Sequence, residues 1–333
     1  MPLDPFLAAK VHLIEGVTWD DAQSDPELMA RLNEFFADPE ERGAPDVAIE
    51  DLAVPGPHGD VDVRVYRPRT EARRALVWLH GGGFGGGDLD MPEAHLVAAE
   101  LAVRADALVV SVGYRLALNG VRYPVPIDDA HAAWLWLTEG AGAHRLPAGP
   151  VALGGASAGA ALALSTAIRL RAEDGGHGKH RGGEPGDHPR RVPDALLLAY
   201  PFAHFPNPVL DDETAAEMRE LPAMLRFTPA GIEGMVRNYV GRISDLPADA
   251  LPGAAALDGL PRAAIVLSEY DDLRASGDLL IRQFTETGVP VSSYLAAGML
   301  HGHLNRNASL KEVDRSLDFL AAALCERPEG SPA

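Results

Sequence analysis

The chain has 333 residues, 47% hydrophobic and 23% charged, the make-up of a globular protein long enough to bury a large core. Its formal net charge of −19 argues against nucleic acid and anionic membrane surfaces, since both are recognised through basic patches. Cys325 is the only cysteine, which excludes an internal disulfide, and no apolar run reaches the roughly 18 residues that a spanning helix needs.

The start, Met-Pro-Leu-Asp-Pro, lacks the basic and apolar regions of an export signal, so a cytoplasmic location is the expectation. Residues 1–52 hold thirteen acidic and three basic side chains, read as a solvated acidic face. Residues 1–45 are predicted helical. Apolar side chains recur at helical spacing in Phe6-Leu7, Val11 and Ile14, and again in Leu28-Met29, Leu32 and Phe35-Phe36. Asp25-Pro26 reads as an N-cap followed by proline at the first helical position. The period then changes. Val47, Ile49 and Val61 to Tyr66 alternate around Pro55-Gly-Pro-His-Gly59, a strand pair with a turn.

From residue 75 strands and helices alternate. Strands are predicted at 75–79, 107–112, 150–154, 194–200, 263–268 and 290–296. Helices are predicted near 92–104, 124–138, 158–173, 275–287 and 308–325. Short apolar runs alternating with helices predict an α/β fold with an open, mainly parallel sheet covered on both faces. Two segments interrupt the pattern. Residues 174–191 are glycine-rich and aperiodic, and read as a surface loop; His177, His180 and His188 in it have no supporting metal-ligand spacing, and no metal is expected. Residues 203–250 are partly helical and follow the strand at 194–200, a natural place for a lid.

Two glycine-bearing strings sit at predicted strand ends, where ligands bind in such sheets. His80-Gly-Gly-Gly83 closes Ala75-Leu-Val-Trp-Leu79. Gly155-Ala-Ser-Ala-Gly159 closes Val151-Ala-Leu-Gly154 and opens an alanine-rich helix. The second is G-x-S-x-G in strand–turn–helix context, which makes Ser157 a candidate nucleophile on a sharp elbow. A serine hydroxyl needs a base, and the base an orienting acid. His301, after the strand at 290–296, is the expected base, with His303 as competitor. The segment after 263–268 offers Glu269, Asp271 and Asp272 as the acid. Backbone N–H groups of Gly82, Gly83 and Ala158 are the expected oxyanion donors.

On these residues the chain resembles the hormone-sensitive lipase family of α/β-hydrolase esterases, from about residue 45 to 325. The family's His-Gly-Gly-Gly matches His80–Gly83, its Tyr-Arg-Leu-Ala matches Tyr114–Ala117, and Pro124-Val-Pro-Ile-Asp-Asp129 matches its proline–acid run. Its Asp-Pro-Leu-Arg-Asp-Glu corresponds to Asp271-Asp-Leu-Arg-Ala-Ser276, and its His-Gly-Phe to His301-Gly-His303. This register selects Asp271 and His301. The nucleophile motif usually carries Asp where this chain has Ala156, and Asp272 and Ala275 also depart from the pattern.

The resemblance implies a serine carboxylesterase with a Ser157–His301–Asp271 triad, acting without a cofactor on small ester substrates of short to medium acyl chain. It implies a cap from residues 1–45 and an insertion at 203–245, a hydrolase core at 46–202 and 246–327, and a disordered tail at 328–333. Phe6, Phe35, Phe36, Phe202, Phe205, Met224, Phe227 and Tyr239 are candidate pocket residues. A homodimer stays open, as do two alternatives on the same fold: a dedicated deacetylase or amidase, and a non-hydrolytic binding protein.

Overall fold

The structure, a computed structural model, describes residues 2–140, 145–177 and 192–326. In chain order it comprises α1 (Pro5–Lys10), α2 (Trp19–Ser24), α3 (Pro26–Phe36), β1 (Ala48–Val54), β2 (Val61–Arg67), β3 (Arg74–Leu79) and α4 (Pro92–Arg104). β4 (Ala107–Gly113), α5 (Val125–Thr138), β5 (Val151–Ala156), α6 (Ala158–His177) and β6 (Ala195–Ala199) follow. The chain closes with α7 (Asp212–Arg219), α8 (Pro229–Val240), β7 (Arg262–Tyr270), α9 (Arg274–Glu286), β8 (Val291–Leu300) and α10 (Lys311–Cys325).

The eight strands form one sheet in the order β1-β2-β4-β3-β5-β6-β7-β8. The β1–β2 and β2–β4 pairings are antiparallel, and every later pairing is parallel. The apolar runs read as buried on both faces because successive side chains enter different cores. In β3, Ala75, Val77 and Leu79 face one cluster while Leu76 and Trp78 face the other. The first cluster is covered by α5, α6 and α9, and also receives Ile232, Val236 and Tyr239 of α8. The second is covered by α4 and α10, joined by Leu7, Ile14, Leu32 and Phe35 from the N-terminal helices. Burying each such large aliphatic or aromatic side chain contributes about 1.5–3 kcal/mol, so the sheet is held from both sides.

Two predicted boundaries shift. The loop expected from residue 174 starts later, because α6 runs to His177; a helix already nucleated tolerates Gly175-Gly176 near its end. The remainder of that expected loop, with His180 and His188, lies outside the described residues, as do the side chain of His177 and the tail. The strand expected to end at 296 continues to Leu300. Gly298, with φ of +70°, lies within the extended strand, where the register between β7 and β8 is irregular. Its N–H donates to Glu269 Oε2 at 2.6 Å, and its carbonyl accepts the Asp4 N–H at 3.0 Å. The extension brings Leu300 opposite Tyr270, so the residues that follow, Asp271 and His301, leave adjacent strands side by side.

Candidate active site

Ser157 leaves β5 on a turn with φ of +53°. A non-glycine residue there stores about 1–3 kcal/mol of strain that the surroundings must hold. Here the Ser157 N–H donates to Ala199 O of β6 at 2.9 Å, and the Ser157 carbonyl accepts from Ala160 and Ala161 of α6. The flanking glycines are steric necessities. A Cβ on Gly155 would lie 2.6 Å from Gly159 O and from Leu79 O, and one on Gly159 would lie 2.2 Å from Leu79 O. The end of β3 passes too close for any larger residue.

His301 Nε2 lies 2.9 Å from Ser157 Oγ, and His301 Nδ1 lies 2.6 Å from Asp271 Oδ2. The other carboxylate oxygen, Asp271 Oδ1, accepts the Leu273 N–H at 2.8 Å. With a carboxylate on one side and a hydroxyl on the other, the neutral ring carries its proton on Nδ1 and presents a lone pair to the serine. Burial pushes the His301 pKa down. The charge and hydrogen bond of Asp271, helped by Glu93 and Asp272, outweigh it and leave the pKa above the ordinary 6.5.

The competing residues have other partners. His303 is buried between Ser268 Oγ at 2.9 Å and Ser316 Oγ at 3.0 Å, and burial pushes its pKa down to about 3. It is a neutral core residue. Asp272 receives Arg226 through both oxygens, at 2.8 and 2.9 Å, and also the Phe227 N–H at 2.7 Å. Glu269 holds Gly298. The structure thus brings Asp271 and His301 together with Ser157, and leaves Glu269, Asp272 and His303 to other partners.

The other string forms a tight turn, with the Gly85 and Gly86 N–H groups donating to Gly82 O. Gly82 has φ of +109°, and a Cβ there would lie 2.1 Å from Gly86 O. Gly83 has φ of +60°, with Met235 Sδ of α8 2.6 Å from where its Cβ would be. Among the described residues, the N–H groups of Gly82, Gly83 and Ala158 donate to no protein acceptor, so all three stay available to an incoming oxygen. Tyr114 supports this turn: its hydroxyl donates to His80 O at 2.8 Å and Gly81 O at 3.2 Å, and its ring stacks on His80. Asp129 is turned away, binding Arg115 through N–H and guanidinium.

Of the aromatic candidates, Phe227 packs edge-on to His301 with centroids 4.7 Å apart. The Arg226–Asp272 pair that places it clamps the segment after β6 onto the loop bearing Asp271. Phe35 and Phe36 line a cavity of about 50 Å³ beside His301, with Leu7, Leu225 and Met299. Phe202 and Tyr239 are fully buried around Phe84, behind the site. Sequence reasoning missed Glu93, Tyr200, Asn305, Arg226 and Met235, none of which belongs to a motif that names its chemistry.

Residues 76–305 match a family model described as alpha/beta hydrolase fold. The chain is 33% identical over 267 residues to the esterase LipI of Mycobacterium tuberculosis, covering 78% of this chain and 76% of that protein. It is 28% identical to the ethyl acetate hydrolase of Pseudomonas putida, covering 97% of this chain and 99% of that one. Among solved structures, an esterase of Pyrobaculum calidifontis superposes with a TM-score of 0.76 at 27% identity, covering 97% of this chain and 98% of that one. A strained serine, a histidine and a carboxylate at three parallel strand ends agree with these likenesses: the chain belongs to the α/β-hydrolase fold family and, within it, to the carboxylic ester hydrolases of hormone-sensitive lipase type.

Proposed function

We propose that the chain hydrolyses short- to medium-chain carboxylic esters through an acyl-enzyme on Ser157, under a cap made of residues 1–45 and 203–245. The observation that carries this is the Ser157–His301–Asp271 hydrogen-bond chain, at 2.9 and 2.6 Å. Ser157 Oγ attacks the ester carbonyl carbon as its proton passes to His301 Nε2. The carbonyl oxygen becomes an oxyanion held by the N–H groups of Gly82, Gly83 and Ala158. The intermediate collapses, the C–O bond to the alcohol breaks, and the imidazolium returns the proton to the leaving oxygen. Water then attacks the acyl-enzyme with the same histidine as base, releasing the carboxylic acid and restoring Ser157. Met235 against Gly83 and Phe227 against His301 crowd both flanks of the serine, which supports small acyl groups. The two-carbon acyl group in the name of the Pseudomonas putida relative points the same way.

The test is a fluorophosphonate followed by peptide mass mapping, with nitrophenyl esters from two to sixteen carbons and the matching anilides. The expected result is a single adduct on Ser157 and kcat/KM highest at two to six carbons. Absence of an adduct would point to a binding protein, and anilides turned over as fast as esters would point to an amidase. The pH profile adds a second expectation. The base acts when neutral and its pKa is raised, so kcat/KM should fall in acid with a midpoint above 6.5. A profile flat down to pH 5 would remove His301 as the base.

A further inference from the structure

Ala156 stands where the family motif usually has aspartate, so the elbow has no carboxylate of its own. One is buried beside it nonetheless. Glu93, the second residue of α4, is 2% exposed. Its Oε2 accepts the Gly81 N–H at 2.6 Å, and its Oε1 accepts the Tyr200 hydroxyl and Asn305 Nδ2, the latter at 3.3 Å. A Cβ on Gly81 would lie 2.4 Å from Oε2, so glycine at 81 is what allows this approach.

Each donor belongs to a different catalytic segment. Gly81 precedes the oxyanion glycines. Tyr200 follows Ala199, whose carbonyl holds the Ser157 N–H, and its ring lies 4.9 Å from that of His301. Asn305 also donates to Gly302 O at 3.1 Å, next to His301, and its Oδ1 accepts the Glu93 N–H. Among the described residues no Arg or Lys pairs with Glu93. A buried carboxylate without a cation is costly, and α4 is already anchored by Val97, Ala98, Leu101 and Ala102. Fold stability therefore does not account for it. Gly81 N–H and Asn305 Nδ2 can only donate to Glu93, while the Tyr200 hydroxyl can donate or accept. Burial pushes the Glu93 pKa up, and the hydrogen bonds from Tyr200 and Gly81 and the nearby His301 oppose the rise.

We propose that Glu93 is a positioning residue whose carboxylate ties the oxyanion strand end, the residue behind the Ser157 elbow and the His301 loop into one unit, in place of the aspartate absent at 156. This rests on the assignment of Ser157 and His301 above. The groups facing His301 are Asp271 and Asp272 after β7, Glu93 from α4, Tyr200 after β6, and His303 in its own loop. Among the described residues, Glu93 is thus a carboxylate that acts on the ring from α4, apart from the two acids that follow β7.

The experiment compares wild type, Glu93→Gln and Tyr200→Phe, with kcat expressed per site titrated to completion by a fluorophosphonate, so that unfolded protein does not count. For Glu93→Gln, kcat should fall about 10- to 100-fold with KM within about threefold, and the acid limb of kcat/KM should move to lower pH. Tyr200→Phe, which removes one arm, should lower kcat about 3- to 10-fold. A kcat per titrated site within twofold of wild type in Glu93→Gln, or in Tyr200→Phe should Glu93→Gln not fold, would overturn the inference. A wild type that neither labels nor turns over ester would instead overturn the assignment of Ser157.

Discussion

Ser157→Ala is expected to lower kcat on a short-chain nitrophenyl ester by about 10⁶-fold, with folding intact. Removing the nucleophile of a triad costs about as much as removing the whole triad, because the three groups act as one unit. What survives is the oxyanion hole and substrate binding, worth about 10³–10⁴ over water. Alanine keeps the backbone route of the elbow, and the Ser157 hydroxyl is used only toward His301, so stability should change little. The φ of +53° remains a cost in either variant. The check is steady-state kinetics beside a thermal melt. Retention of more than about one per cent of kcat in a preparation free of wild-type enzyme would show that another residue attacks the ester.

Asp271→Asn should cost about 10⁴-fold in kcat, for a reason visible in the partners of the two oxygens. Asp271 Oδ1 is committed to the Leu273 N–H at 2.8 Å, so the amide oxygen of asparagine must occupy that position. The amide NH2 is then forced toward His301 Nδ1, where Oδ2 now lies 2.6 Å away. Facing a donor, Nδ1 must accept, and the neutral ring shifts its proton to Nε2. The face presented to Ser157 is then a donor and cannot take the serine proton. The loss should lessen at high pH, where serine alkoxide forms without the base. A kcat reduced less than about tenfold at pH 7 would mean that Asp271 does not orient the base. The neighbour Asp272 then becomes the natural comparison, since it pairs with Arg226 through both oxygens and makes no hydrogen bond to His301, acting on that ring only through its charge.

Much of this architecture was legible in the residue order. The six strands predicted from residue 75 onward coincide with β3 to β8 to within a few residues at each end, because runs such as Leu76–Leu79 and Leu196–Ala199 must bury both faces at once. Glycine does the same work for the elbow. Gly155 and Gly159 are predicted from the motif, and the close passage of Leu79 and His80 carbonyls explains why nothing larger fits. Gly298 is the contrary case. A glycine at positive φ looks alike in a turn and in a bulge, and only pairing with β7 distinguishes them.

The acidic cluster marks the limit. Glu269, Asp271 and Asp272 fall within four positions and have the same chemistry as letters in a sequence. A family register separates them, and the residues alone do not. Glu93 was invisible for a related reason: an acid after Pro92 at the start of a helix is what any helix N-terminus favours. Nothing local distinguishes it from a solvated cap.

By itself the sequence determined the fold class, the succession of strands and helices, and a serine elbow with its glycine neighbours, since these follow from periodicity and from steric demands on a few backbone positions. Tertiary structure showed which carboxylate lies against His301, where the other acids and His303 find their partners, and that a buried acid from α4 sits beside the elbow. Those outcomes depend on distances between segments up to 212 residues apart in the chain. Hydrogen bonding and desolvation act across space, and a linear pattern records neither.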